Sequence, residues 1–166
     1  MADIVAGYNG TATYKDLAKT VCDRNNAANK TGNINVVQLK IISSSSCKVV
    51  PFYLNGSTMM CRGGAVSLGT IIGGSYQTIT GLSMPITQGD FIGMYSPTGI
   101  YYTSGSLAGY YATSDKTAAG NTLSSGFGNV QMAIYGEGSL AAAGGGGILM
   151  GSIFNSDILH SRILRG

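Results

Sequence analysis

The sequence contains no tryptophan and one histidine, and only 10% of its 166 residues are charged. Because the histidine is His160, a Ser-His-Asp or Cys-His arrangement would have to include the C-terminal segment. The carboxylates are dispersed and match no glycosidase or calcium-binding pattern. The glycine clusters lack the Lys-Ser/Thr pair of a phosphate loop. We therefore expect no catalytic residues, no metal ligands and no cofactor, and hence no enzymatic activity.

Basic clusters and long apolar runs are also lacking. The net charge is +3, and only Arg162 and Arg165 lie close together, so we expect no nucleic-acid partner. No continuous apolar stretch reaches the length of a membrane helix, so we expect no membrane partner. The opening Met1-Ala2-Asp3 is not followed by the apolar region of a signal peptide, which predicts synthesis in a cytoplasm without such a leader.

Cysteine is scarce. Cys22, Cys47 and Cys61 are odd in number and lack zinc-type spacing. Strand alternation places Cys47 and Cys61 on opposite faces of one strand pair, where no bridge can form without a bulge. We predict three free thiols that pack as small apolar groups.

What the sequence does contain is typical of β-structure, with 26 glycines and 44% hydrophobic residues. Residues 34–42 alternate, with Val37 and Leu39 on one face and Ile34 on the other. Residues 49–54 and 57–62 flank Asn55-Gly56, which predicts a two-residue hairpin. Its predicted register opposes Leu54 to Ser57, Phe52 to Met59 and Val50 to Cys61. Val50, Phe52, Leu54, Met59 and Cys61 then share the inner face.

Further strand-like segments follow at similar spacing, and the last covers residues 130–135. Residues 14–22 are compatible with a helical turn or with a strand. Residues 104–129 are expected to form a wide surface loop with a short strand around Tyr110. Seven or more short strands without intervening helices predict an all-β, antiparallel, jelly-roll-like β-sandwich.

A Gly/Ala-rich segment and an apolar, basic tail follow the last strand. We predict a β-sandwich domain at residues 1–137, a linker at 138–147 and a C-terminal arm at 148–166. Such an arm must fold back on its own domain or bind another molecule, either as a short helix capped by Ser156 or, as we favour, as an extended segment. The arm residues expected to be buried on assembly are Ile148, Leu149, Ile153, Phe154, Ile158, Leu159, Ile163 and Leu164.

Tyrosines provide an alternative function. Several of the 10 tyrosines cluster in the second half of the domain, and exposed tyrosine rings can stack on sugars. Tyr110 and Tyr111 are the candidate ligand contacts of a carbohydrate- or receptor-binding adhesin module. Tyr101 and Tyr102 point to opposite faces by alternation, so at least one of them is expected in the core.

Two segments carry a resemblance to a known family. Residues 82–95 contain Pro-Ile, then Gly89-Asp90, then Phe-Ile-Gly93-Met-Tyr, and residues 69–82 contain a Gln-Thr-Ile-Thr-Gly-Leu run. Both resemble jelly-roll β-sandwich virion proteins of tailed phages, and residues 151–163 are similar to C-terminal tails of virion proteins. From the residues themselves, Asp90 is expected to accept nearby backbone N–H groups, and Gly93 to mark a close backbone approach or a bulge.

The resemblance implies a non-enzymatic structural protein of the bacteriophage virion, of the capsid decoration, head-fibre or tail-associated type. Its implied partners are further copies of itself, in a homo-oligomer, and other virion proteins, to which the arm would anchor it. A host surface glycan is the ligand of the alternative function. The implied location is the virion, after synthesis in the host cytoplasm. No functional residue is carried over from the family.

Overall fold

The computed structural model describes residues 2–140, and only the backbone of residues 125–127. Within that range the chain forms thirteen β-strands and no helix, and so contains no helix long and apolar enough to cross a membrane. The strands are β1 (Ile4–Gly7), β2 (Tyr14–Asp16), β3 (Thr20–Cys22), β4 (Gly32–Leu39), β5 (Ser45–Asn55), β6 (Thr58–Cys61), β7 (Val66–Ile71), β8 (Gln77–Ile79), β9 (Met84–Ile86), β10 (Phe91–Tyr95), β11 (Ile100–Ala112), β12 (Thr122–Met132) and β13 (Ile134–Leu140).

The strands form two antiparallel sheets. The small sheet has the order β1-β13-β4-β8, and β9 also pairs with β4. The large sheet has the order β10-β3-β11-β12-β6-β5-β7, and β2 pairs with β11. This arrangement confirms the predicted all-β antiparallel sandwich.

The first hydrophobic cluster, here called the inter-sheet core, draws residues from both sheets. Ile4, Ile34 and Leu39 of the small sheet are fully buried in it together with Val49, Ile92 and Met94 of the large sheet. Each such side chain contributes about 1.5–3 kcal/mol when it leaves water. The inter-sheet core therefore holds the two sheets face to face.

The large sheet also closes on itself. Strand β10 pairs with β3 and with β5, so β10, β3, β11, β12, β6 and β5 form a continuous ring. The second cluster, here called the ring core, consists of Cys22, Val50, Phe52, Met59, Cys61, Tyr110 and Leu123. Strand β5 is thus buried on both faces, since Val49 enters the inter-sheet core and Val50 the ring core.

The hairpin differs from its predicted register. Strand β5 opposes Asn55 to Thr58, Leu54 to Met59 and Phe52 to Cys61, so the loop is Gly56-Ser57 instead of Asn55-Gly56. Gly56 takes the first loop position with φ of 61°, as both primed hairpin turns require. The shift of two residues preserves the inner face, and the predicted set of apolar residues does pack together in and against the ring core.

A bulge in β4 places Ile34 on the face opposite to the predicted one. Glu137 pairs with Val36 but Gly138 pairs with Ile34, which leaves Asn35 as an extra residue in β4. Ile34 is therefore buried on the same side as Val37 and Leu39. The Asn35 side chain holds the bulge, because its Oδ1 accepts hydrogen bonds from the backbone N–H and the hydroxyl of Ser139.

Three further segments are now defined. Residues 14–22 form β2 and β3, so the strand alternative is correct. Residues 104–129 belong largely to the long strands β11 and β12, so the predicted wide surface loop is wrong. The predicted last strand at 130–135 is divided at Ala133 between β12 and β13, and β13 continues to Leu140, three residues into the segment assigned to the linker.

The three cysteines are free and buried, as predicted. Cys47 lies in the inter-sheet core, whereas Cys22 and Cys61 lie in the ring core. The predicted separation of Cys47 and Cys61 onto opposite faces is therefore also confirmed.

Candidate functional site

The arm predicted from the sequence falls outside the described residues. The eight apolar residues predicted to be buried on assembly, from Ile148 to Leu164, all lie beyond residue 140, as does His160. The structure does describe where the preceding strand ends. Strand β13 lies between β1 and β4, and its last residue, Leu140, is 47% exposed.

The structure places Tyr110 in the interior instead of on a ligand-binding loop. Its side chain is 4% exposed and belongs to the ring core, and its hydroxyl donates to the carbonyl oxygen of Ser57 at 3.2 Å. Tyr111 is half-buried and packs against the inter-sheet core. The two candidate ligand contacts therefore do not share one surface, because adjacent residues of a strand point to opposite faces, and Tyr110 is part of a core.

The other tyrosine prediction is confirmed. Tyr101 is buried in a small third cluster with Ala12 and Ala133, whereas Tyr102 is half-buried and packs against the inter-sheet core. The Tyr102 ring also lies 5.5 Å from that of Tyr14, centroid to centroid.

Two buried ionisable groups lie side by side at the end of β3. Burial, together with the neighbouring Asp23 carboxylate, raises the pKa of the Cys22 thiol well above its usual value. Burial also raises the pKa of Asp23, although Asn25 donates two hydrogen bonds to its Oδ1. These surroundings keep Cys22 protonated, whereas nucleophilic chemistry requires the thiolate. Among residues 2–140, no group of three or more His, Cys, Asp and Glu side chains is placed to hold a metal ion.

Asp90 is a second buried carboxylate, and it organises the turn before β10. Its Oδ2 accepts the backbone N–H of Thr87 at 3.0 Å, as expected for the Gly89-Asp90 turn. Arg62 forms a bidentate pair with it, at 2.7 Å from Nε and 2.6 Å from Nη2. The Arg62 guanidinium also lies 4.5 Å above the Tyr53 ring. These contacts join the end of β6 to the start of β10 and explain Asp90 structurally.

Arg62→Met is expected to lower the free energy of unfolding by about 3 kcal/mol, because it leaves the Asp90 carboxylate buried without its cation. The matched control is Lys48→Met. Lys48 also pairs with an aspartate, Asp115, but the two side chains are 42% and 35% exposed, against 2% for Asp90. We expect the control to cost less than about 1 kcal/mol. Urea unfolding of both variants measures the difference, and equal effects would contradict the role given to Asp90.

A polar groove lies on the outer face of the small sheet. Tyr135 of β13 pairs with Gln38 of β4, and Gln38 pairs with Thr78 of β8, so these three side chains form a row across three strands. They line a depression of about 120 Å³ together with Asn9, Val36 and Glu137. This is the side of β4 and β13 opposite the inter-sheet core.

The groove continues past Asn9 and Tyr135 toward β1. The second part has a volume of about 680 Å³, and its polar lining includes Tyr8, Asn25, Asn26 and Gln131. Gly7 allows the chain to turn after β1 and to line the second part of the groove. Its φ of 83° turns the chain after β1, and a Cβ there would come within 2.3 Å of the Ile134 carbonyl oxygen. Tyr8 is held by its backbone N–H, which donates to the same oxygen at 2.8 Å.

The groove could not be predicted from the sequence. Its residues come from β1, the β1–β2 loop, the β3–β4 loop, β4, β8, β12 and β13, which the chain brings together only on folding. Alternation does place Tyr135 and Gln38 on the polar faces of their strands. Nothing in the sequence indicates that the two strands are neighbours.

Comparison of the chain with protein-family models, with curated proteins and with solved structures finds no match.

Proposed function

We propose that this protein is a non-enzymatic structural subunit of a tailed-phage virion, of the capsid decoration, head-fibre or tail-associated type. In this proposal the β-sandwich is a preformed body and residues 148–166 are the arm that attaches it to neighbouring subunits. The partners are other copies of the chain and other virion proteins. The resemblance of residues 69–95 to phage virion proteins supplies the biological setting.

One observation carries the proposal. Strand β13 takes the chain to an exposed Leu140 at the end of a sheet, and 26 residues follow that position. Those residues begin with a Gly/Ala-rich stretch and then include nine large apolar side chains within 148–164. Burial of several such side chains in a partner, at about 1.5–3 kcal/mol each before ordering costs, is sufficient for stable attachment in a repeated lattice.

The edges of the large sheet support an extended mode of attachment. Strands β2 and β7 each pair with a single described strand, and each is followed by an exposed aliphatic side chain. Leu17 is 77% exposed and Ile72 is 61% exposed. An unpaired strand edge accepts the backbone of an added segment, while neighbouring apolar side chains contact its residues. These two edges are our candidate acceptors for the arm of another subunit.

A mass-spectrometric inventory of the proteins in purified particles of the virus that encodes this chain tests the proposed role in the virion. We expect peptides of this chain in a fixed ratio to the major capsid or tail protein, retained after high-salt washing. Their absence from particles, while the chain is present in the infected-cell lysate, would contradict a structural role in the virion.

A further inference from the structure

We propose that the groove on the outer face of the small sheet is a binding site for a neutral saccharide. The site is centred on Tyr135 and Asn9, which line both parts of the groove. It does not rest on the assembly proposal, because it is argued from lining residues between Val5 and Glu137 alone.

The lining of the groove has unused hydrogen-bonding capacity. The carboxamides of Asn9, Asn26, Gln38 and Gln131 have no hydrogen-bond partner among the described residues, and each is at least partly exposed. Asn25 differs, because it donates to Asp23 and Val130 and accepts from Ser106 and Leu107. A carboxamide offers two N–H donors and an oxygen with two acceptor lone pairs, so the four carboxamides that line the groove supply donors and acceptors in equal number. Sugar hydroxyls likewise donate and accept.

Aromatic rings that are held in place lie beside those amides. Tyr135 is half-buried between neighbouring strands, and burial, a hydrogen bond to the Glu137 carboxylate and the charge of that carboxylate raise the pKa of its hydroxyl. The hydroxyl therefore stays protonated and donates to Glu137, and it offers a ligand the acceptor lone pairs of its oxygen. Tyr8 packs against Gly10, where a Cβ would come within 2.2 Å of the Tyr8 ring. Rings held in this way present an apolar surface to the C–H face of a sugar at a low entropic cost.

The charge of the lining disfavours an anionic ligand. None of the described residues that line either part is Lys, Arg or His, and Glu137 contributes a negative charge. A phosphate, sulfate or uronate would meet no cation there and would be repelled by Glu137. The walls are also too polar for an apolar peptide, which would leave the amides desolvated without partners. A neutral, hydroxyl-rich ligand is not repelled by Glu137 and provides hydrogen-bond partners for the amides.

The test uses the full-length protein on an array that carries neutral hexose oligosaccharides and acidic ones with sialic acid, uronate or sulfate. We expect binding to a subset of the neutral glycans, followed by titration calorimetry with the best of them. Gln38→Ala and Tyr135→Phe are each expected to weaken that binding at least tenfold without a change in melting temperature. Gln38→Ala combined with Asn9→Ala is expected to abolish it.

Two matched substitutions away from the groove serve as controls. Gln88 is exposed in the loop between β9 and β10, and Tyr14 is 55% exposed on β2 of the other sheet. Gln88→Ala and Tyr14→Phe are expected to retain full affinity. Absence of binding to every neutral glycan, binding confined to acidic glycans, or equal losses in groove and control variants would each overturn the proposal.

Discussion

Removal of residues 148–166 is expected to abolish assembly and to leave the sandwich folded. The hydrophobic clusters described above are formed by residues between Ile4 and Ile134, which span both sheets. The deleted segment carries the apolar side chains whose burial in a partner provides the attachment free energy. Circular dichroism and thermal melting measure the fold, and co-sedimentation with particles that lack the protein measures attachment.

Substitutions in the full-length chain distinguish the effect of burying apolar side chains from the effect of the length of the arm. Replacement of Ile153, Phe154, Ile158 and Leu159 by serine is expected to reduce co-sedimentation as severely as the deletion. The matched control, Arg162→Gln with Arg165→Gln, is expected to retain most of the binding, since the two charges are not the main source of affinity in the proposal. Normal attachment of the truncated protein, or its failure to fold, would show that the arm belongs to the packing of its own domain.

Gly93→Ala is expected to destabilise the sandwich strongly. A Cβ at Gly93 would lie 2.5 Å from Cε2 of Phe52 and 2.6 Å from the Val21 carbonyl oxygen. The Phe52 side chain fills the ring core, and the Val21 oxygen belongs to the β3 backbone. Neither can therefore move without disturbing the closed ring of strands. We expect a loss of about 3 kcal/mol or more in the free energy of unfolding. The melting temperature should fall by roughly 6–12 °C.

Gly56→Ala provides the contrast for Gly93→Ala. Gly56 has a φ of 61°, but nothing lies within 4 Å of a Cβ built there. The substitution therefore tests backbone conformation without a steric clash, and about 1 kcal/mol is expected. Urea unfolding of the two variants is the measurement. A Gly93→Ala variant as stable as Gly56→Ala would contradict the close approach of β10 to Phe52.

Much of the fold could be predicted because it depends on local patterns. Alternation identified the apolar faces around the β5–β6 hairpin and kept them correct even though the register moved by two residues, because a shift of two preserves the face. The same parity separated Cys47 from Cys61. Asp90 and Gly93 were interpreted correctly because a turn carboxylate and a strand glycine have few structural explanations. The distribution of apolar residues after Leu140 is likewise a property of the sequence alone.

The sequence by itself thus determined the class of fold, the faces of most strands and the existence of an apolar tail. The tertiary structure decided which strands became neighbours. The pairing of β10 with β5 closes the ring, and only that closure places Tyr110 in a core instead of on a loop. The bulge at Asn35 and the meeting of Tyr135, Gln38 and Asn9 in one groove also depend on pairings between distant segments. Periodicity records which face of a strand is buried, whereas the partner of a strand is selected by packing across the whole chain.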